Sequence, residues 1–316
     1  MQLEPQQPDS PAPVDGGTVG VIVPRPLKGP LDYRVPEGMH LARGDIVEVP
    51  LGRSGSSLGI VWGKAEGTLP PEKLKTVIRR FDTPPLRENL LVFTEWVANY
   101  ILASVGEVAN MILRAPDALE PEPDRKAIRL GAHVPQKLTQ ARERVLAVAA
   151  DGMARRLREL CDESGVSPEV VRSLVKIRAL EEVPLPPARA ADTPDPAHAG
   201  PALSTAQAAA AGHMIKAVNA GAFEVMLLDG VTGSGKTETY FEAVAAALLQ
   251  KKQALILLPE IALTVQFLDR FARRFGVRPA EWHSDLTQAQ RRRVWRGVAS
   301  GEVQVVVGAR SALFLP

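Results

Sequence analysis

The stretch GVTGSGKTETY, Gly230 to Tyr240, decides the fold of the C-terminal part of the chain. It meets the pattern G-x-x-x-x-G-K-[ST] at Gly230, Gly235, Lys236 and Thr237. Glycines at Gly230, Gly233 and Gly235 let consecutive backbone N–H groups of the loop, Ser234 among them, point at one phosphate. Lys236 brings a point charge to the β- and γ-phosphates, Thr237 offers a hydroxyl to Mg²⁺, and the helix that opens here presents its positive dipole end. An ordinary glycine-rich turn would match a bare eight-residue pattern by chance. Here EVMLLDG (224–230) before the loop reads as a strand and TETYFEAVAAALLQ after it as a helix. That context favours nucleotide binding.

Outward from the loop, apolar strands QALILLP and VQVVVG alternate with helical patterns, which predicts a parallel α/β lobe over 203–316. VPLPPARAADTPDPAHAGPA, rich in Pro and Ala and without periodicity, reads as a linker, placed at 185–202. Residues 130–184 read as helical: Thr139 caps LTQARERVLAVAA, Gly165 marks a turn, and Ser167 with Pro168 opens a further helix. Over 18–116, TVGVIVP, DIVEVPL and LGIVWG are β-branched runs broken by Gly and Pro, followed by the helical spacing of LLVFTEWVANYILA. The Pro-rich, polar residues 1–17 read as a disordered tail without the basic start and apolar core of a secretory signal.

Of the 316 residues, 45% are hydrophobic, which supports real cores, and no apolar run reaches the length of a membrane span. Cys161 is the single cysteine, so there is no disulfide framework and no cysteine-rich zinc site; a reducing cytoplasm is the expected location and the thiol reads as packing. With a net charge of +2, contact with nucleic acid has to come from local patches rather than bulk charge.

A phosphate loop does not choose among kinases, GTPases, transporters and helicases; the following segments do. The loop, then PEIALT at Pro259–Thr264, the pair His283–Ser284 and GARSALFLP at Gly308–Pro316 resemble the motifs of the primosomal replication-restart DNA helicases, the PriA (primosomal protein N′) family of helicase superfamily 2. LSTAQ, Leu203–Gln207, resembles that family's glutamine motif. In the first block, GPLDYRVPEGMHLARGDIVEVPLGRSGSSLGIVWG resembles its 3′-end DNA-binding domain, with the D-Y-x-x-P core at Asp32, Tyr33 and Pro36. Leu31 stands where the family often has Phe, and Ala309 where Thr is common.

The resemblance implies three parts: a β-rich 3′-end DNA-binding domain (18–116), a winged helix (130–184) and a partial RecA-like parallel-sheet lobe (203–316). It implies that Gln207 reads adenine and that Lys236, Thr237 and Glu238 serve ATP and Mg²⁺. It places single-stranded DNA on Glu260, Thr264, Arg310 and Ser311. It also implies a 3′-end pocket in which Asp32 accepts the terminal hydroxyl, Tyr33 stacks, Gly52 allows close approach and Lys75 meets a phosphate. Forked DNA, other primosome proteins and single-strand DNA-binding protein are the implied partners, and 3′→5′ unwinding the implied activity. The family's acidic D-E-x-H strand, second lobe and zinc cysteines are not in this sequence, so turnover by this chain alone is not expected.

Plainer roles stand beside these. Arg291, Arg292 and Arg293 with Trp295 form either a DNA-facing patch or, the favoured reading, a solvated helix face carrying one buried Trp. The plainer role of Glu260 and Thr264 is capping, that of Asp32 a turn, that of His283 structural, and that of the helix-turn-helix protein contact. Two other functions remain open: a non-catalytic module holding fork DNA and nucleotide, and a phosphate-loop NTPase unrelated to DNA.

Overall fold

The computed structural model describes residues 14–15, 17–53, 55–67, 69–120, 125–133, 138–185, 188–259 and 264–316. The chain divides into two compact units, Met1–Pro121 with Arg189–Pro316, and Glu122–Ala188.

In the larger unit the β-branched runs of the first block form a sheet of order β3-β2-β6-β5-β7, every pair antiparallel. The strands are β2 (Thr18–Ile22), β3 (Leu31–Arg34), β5 (Ile46–Leu51), β6 (Gly55–Lys64) and β7 (Arg79–Arg80). Within the expected tail, β1 (Val14–Asp15) pairs with β4 (His40–Leu41), and Gly17 O accepts from Val35 N; residues 1–13 and 16 lie outside the described residues. Helix α1 (Glu88–Tyr100) and helix α2 (Val105–Ile112) follow, the latter opened by a Ser104–Glu107 capping box. Gly106 in α2 allows backbone contact with the strand end: a Cβ there would sit 2.2 Å from Arg25 O.

The lobe begins with α6 (Thr205–Ala220), capped by Ser204. Helices α7 (Lys236–Leu249), α8 (Val265–Phe275) and α9 (Gln288–Ala299) alternate with β10 (Ala254–Leu257), β11 (Ala280–Trp282) and β12 (Val305–Gly308), and the strands run parallel in the order β10-β12-β11. Phe241, Phe267, Phe271 and Phe275 fill the space between α7, α8 and the sheet.

The expected strand 224–230 is not a strand in the structure. It pairs with no other described strand, and Phe223, Val225 and Leu227 are 93%, 81% and 92% exposed. A run of apolar residues supplies the side-chain character of a strand, but a strand also needs a ladder partner, and the described parallel sheet is β10-β12-β11 without this segment. Such a segment favours self-association. Changing Phe223, Val225 and Leu227 together to Ser, Thr and Ser is expected to lower self-association in analytical ultracentrifugation at unchanged melting temperature. A lower melting temperature would show that these side chains pack.

The first block and the lobe share a core. Trp295 of α9 is 1% exposed and lies in one cluster with Ile22, Ile46, Ile60, Trp62, Leu91 and Ile112. Arg292 Nε donates to Asp117 O at 2.6 Å and Arg296 Nη1 to Ala118 O at 3.1 Å. Arg87 Nη2 donates to Gln253 Oε1 at 2.7 Å, and Phe93 packs on Phe314 at 5.6 Å between centroids. The buried Trp of the favoured reading is thus present, but the face that carries it binds the first block instead of being wholly solvated. The supposed linker is likewise held down after residue 188: Asp195 N donates to Phe275 O, and Ala190 and Ala191 pack against Val294 and Val298.

The smaller unit combines β8 (Arg125–Leu130) and β9 (Leu180–Leu185), an antiparallel pair, with α3 (Gln140–Ala149), α4 (Leu157–Ser164) and α5 (Pro168–Lys176). The block expected to be helical over 130–184 is therefore mixed. Thr139 caps α3 and Gly165 ends α4 at φ +63°; Ser167 and Pro168 hold the expected positions, but the Ser167 hydroxyl makes no cap bond. Cys161 lies in the core of this unit with Leu160, Val171 and Leu174, and burial pushes its thiol pKa up.

Candidate functional site

The loop before α7 is built as its glycines require. Gly233 and Gly235 take φ of +81° and +80°, in the left-handed region that other residues avoid, and Gly235 is the N-cap of α7. A Cβ on Gly235 would lie 2.1 Å from Gln207 Nε2. Gly230 N is held by Asp229 Oδ1 at 2.8 Å and Ser234 N by Val231 O at 3.2 Å. Lys236 Nζ bonds the carbonyls of Gly230 and Val231, so the ammonium lies within its own loop. Burial pushes the Tyr240 phenol pKa up, and the neighbouring Thr237 side chain opposes the shift. Glu238, in the first turn, favours the positive helix end and faces Arg270 with Oε1–Nε at 4.0 Å.

Gln207 is brought to the same loop by α6, although its amide is already engaged there. Oε1 accepts from Ser204 N at 2.8 Å, closing a capping box, and Nε2 donates to Ser234 O at 2.8 Å. The structure therefore gathers Gly230, Gly233, Ser234, Gly235, Lys236, Thr237, Glu238 and Gln207 around one loop. The donor set fits a phosphate group: left-handed glycines, a lysine that bonds two neutral carbonyls, and a helix N-terminus.

The four residues expected to form the 3′-end pocket divide between two faces. Consecutive residues of β3 point to opposite sides of the sheet. Asp32, 6% exposed, accepts from Glu66 N through Oδ1 at 2.9 Å. Tyr33 lies on the other side in a valine-rich core, with its hydroxyl on Pro50 O at 3.1 Å and its phenol pKa pushed up by burial. Lys75 Nζ bonds Gly52 O, and Gly52 takes φ +69° in the β5–β6 turn. Tyr33, Lys75 and Gly52 thus share the Pro50–Gly52 turn while Asp32 faces Glu66. Stacking by the buried Tyr33 ring requires that turn to move.

Thr264 caps α8, accepting from Phe267 N at 3.4 Å, and Glu260 lies outside the described residues. Arg310 and Ser311 are exposed on the short turn after β12. His283 faces Glu281 at 3.6 Å and accepts from Asp285 N through Nδ1.

Arg274 escapes a motif reading. It is 6% exposed, bonds both Glu242 oxygens at 2.7 and 3.1 Å, and donates to His198 O at 2.8 Å. It stands beside Phe267, Phe271 and Phe275 among the buried residues of α8, and an arginine on an apolar stripe is the sequence signal for such an anchor. Among the described residues, no three His, Cys, Asp or Glu gather as a metal cluster, and no helix is long and apolar enough to cross a membrane.

A phosphate loop on a parallel lobe, sharing a core with a β-rich domain, defines a helicase-class chain joined to a DNA-binding domain: residues 205–315 match the DEAD/DEAH box helicase family and residues 20–114 the 3′DNA-binding domain (3′BD). The chain belongs to the replication restart protein PriA family and corresponds to its N-terminal portion. It is 30% identical to the PriA of Rickettsia felis over 298 residues, covering 94% of this chain and 35% of the relative. With the PriA of Haemophilus influenzae the identity is 32% over 312 residues, or 94% and 42% of the two chains. With that of Bacillus subtilis it reaches 48% over 93 residues, 29% of this chain and 12% of the relative. The chain thus spans between a third and a half of the first two relatives.

Proposed function

We propose that this chain is the DNA-recognising and ATP-binding part of a 3′→5′ DNA helicase that acts at stalled replication forks and initiates primosome assembly. The observation that carries the reading is the pairing of two sites in one compact unit, a phosphate loop at the N-terminus of α7 and the DNA-binding sheet around β3. ATP supplies, when bound with Mg²⁺, a phosphoanhydride whose cleavage drives movement along DNA. The loop N–H groups and Lys236 orient its phosphates, Lys236 leaving the Gly230 and Val231 carbonyls. Thr237 would offer its hydroxyl to the Mg²⁺ that accompanies the nucleotide. Thr264, Arg310 and Ser311, with Glu260, track the single strand. The smaller unit acts as a winged helix: three helices with a small sheet, and a helix-turn-helix at Gly165, support this. Primosome proteins and single-strand DNA-binding protein are the partners, in the cytoplasm.

At the 3′ end, Asp32 accepts the terminal hydroxyl and Lys75 steadies a nearby phosphate. A 3′-phosphate removes that donor and sets negative charge against the carboxylate. The loss of one charge-assisted hydrogen bond costs about 1.5–3 kcal/mol, roughly tenfold or more in affinity. Fluorescence anisotropy with the 316-residue chain should show tighter binding to a 3′-hydroxyl oligonucleotide than to its 3′-phosphorylated form. Asp32→Ala should largely erase the difference. Asp32→Asn keeps an acceptor for Glu66 N and controls for loss of fold. Equal binding of both oligonucleotides by the unaltered chain would return Asp32 to a structural role.

A further inference from the structure

The Asp32 carboxylate does not stand open on the sheet: a separate stretch of chain is drawn over it. In the β2–β3 ladder Asp32 lies directly opposite Gly20, and residues so paired share one face of the sheet. The position a Cβ would take on Gly20 is 3.1 Å from Lys64 O and 3.2 Å from Pro30 Cβ. The end of β6 and the turn before β3 therefore close on the ladder at this point. Two residues beyond Lys64, Glu66 N donates to Asp32 Oδ1 at 2.9 Å. Gly67 follows at φ +73°, in the left-handed region that suits glycine. The covering segment accounts for the 6% exposure of Asp32.

The Glu66 side chain emerges at the rim of this cover. It is exposed, and its Oε1 lies 3.9 Å from the position of a Cβ on Gly29, three residues before Asp32. Among the described residues no hydrogen bond or ion pair reaches the Glu66 carboxylate. A ligand group that reaches Asp32 therefore meets an unpaired negative charge on the segment that covers it. Lys64, exposed on the same segment, attracts the backbone of any strand whatever its end. A charge that discriminates between ends has to lie at the end itself, and Glu66 is tied to Asp32 through its own backbone.

We infer that Glu66 determines which strand ends are admitted to Asp32: its carboxylate repels a terminal 3′-phosphate, while its backbone N–H holds Asp32 in place as the acceptor for a terminal hydroxyl. The inference rests on the reading of Asp32 as the residue that meets the 3′ end. It divides that site into two effects. Asp32 selects the hydroxyl through a hydrogen bond, which depends on a donor. Glu66 rejects the phosphate through charge, a phosphate monoester carrying about −1.5 to −2 at neutral pH.

Fluorescence anisotropy of the full chain with three oligonucleotides of one sequence tests it. They end in a 3′-hydroxyl, in a dideoxy sugar or in a 3′-phosphate, and the dideoxy end lacks the donor without adding charge. Glu66→Gln keeps the backbone N–H on Asp32 and removes only the charge. It should tighten the 3′-phosphate ligand about two- to fivefold relative to the dideoxy ligand, the scale of one exposed charge pair. It should leave the preference for hydroxyl over dideoxy unchanged, which also shows that the fold is intact. Glu66→Lys should extend the gain. The effect should fade as salt rises above about 0.1 M, where the screening length is about 10 Å and shrinking, whereas the hydroxyl preference should persist. The inference is overturned if Glu66→Gln leaves the phosphate-to-dideoxy ratio unchanged, if it abolishes the hydroxyl preference, or if its effect survives high salt. An unaltered chain that prefers hydroxyl to dideoxy but does not separate dideoxy from phosphate removes this inference and spares Asp32; equal binding of all three removes both.

Discussion

Trp295→Ala lowers the stability of the larger unit by about 3–5 kcal/mol, the range for removing a large aromatic side chain from a well-packed core. The indole is 1% exposed, and among the described residues no hydrogen bond reaches its Nε1, so the substitution strands no polar partner there and the loss is one of packing and burial. Trp295 belongs to α9 of the lobe, yet most of its cluster comes from the first block: Ile22, Ile46, Ile60, Trp62, Leu86 and Leu91. The destabilisation should therefore appear in both. Urea unfolding, with hydrogen exchange read separately in β6 and in β12, is expected to show protection falling together. Val298→Ala is the comparison, because its cluster is confined to the lobe and the segment before it. If β6 keeps its protection while β12 loses it in the Trp295 variant, the two blocks fold independently and their shared core contributes little.

Lys236→Ala should weaken ATP and tripolyphosphate alike by about a hundredfold or more, since two charge-assisted bonds at about 1.5 kcal/mol or more each amount to at least 3 kcal/mol. Stability should change by no more than about 0.5 kcal/mol, because the ammonium is exposed and its bonds are to carbonyls of its own loop. Lys236→Arg should not rescue binding: the loop is shaped around a compact point charge, and a planar fork does not fit the same carbonyl positions. Calorimetry for affinity and thermal melting for stability separate the two effects. Unchanged affinity in Lys236→Ala would remove the phosphate role of the loop.

Much of the fold is legible because its signals are local. β-Branched runs broken by Gly and Pro mark β2, β5 and β12, and Thr139 and Gly165 bound their helices through bonds to neighbours in sequence. The phosphate loop is legible for the same reason, since its glycine conformations, its lysine and its helix lie within a few residues. Segment 224–230 carries the same kind of apolar signal as β12 and is not a strand, because pairing depends on a neighbour supplied by other parts of the chain.

The functional side chains show the same division. The spacing Ser204-x-x-Gln207 already contains a capping box, but that the second end of the glutamine amide would reach Ser234 O depends on how α6 packs against α7. The arginines around Trp295 read as a basic helix face; only packing directs Arg292 and Arg296 to the carbonyls of Asp117 and Ala118. Arg274 reads as one charge in the run Arg273–Arg274, and the carbonyls that make it an anchor lie 78 and 76 residues away along the chain. The sequence by itself determined the local structure: the glycine-rich loop before α7, the helix caps and the principal strands, each set by torsional preference and short-range hydrogen bonding. The tertiary structure alone decided the shared core, the anchored segment before α6 and the cover of residues 64–66 over Asp32, because burial and long-range hydrogen bonds depend on groups that meet only when distant segments pack.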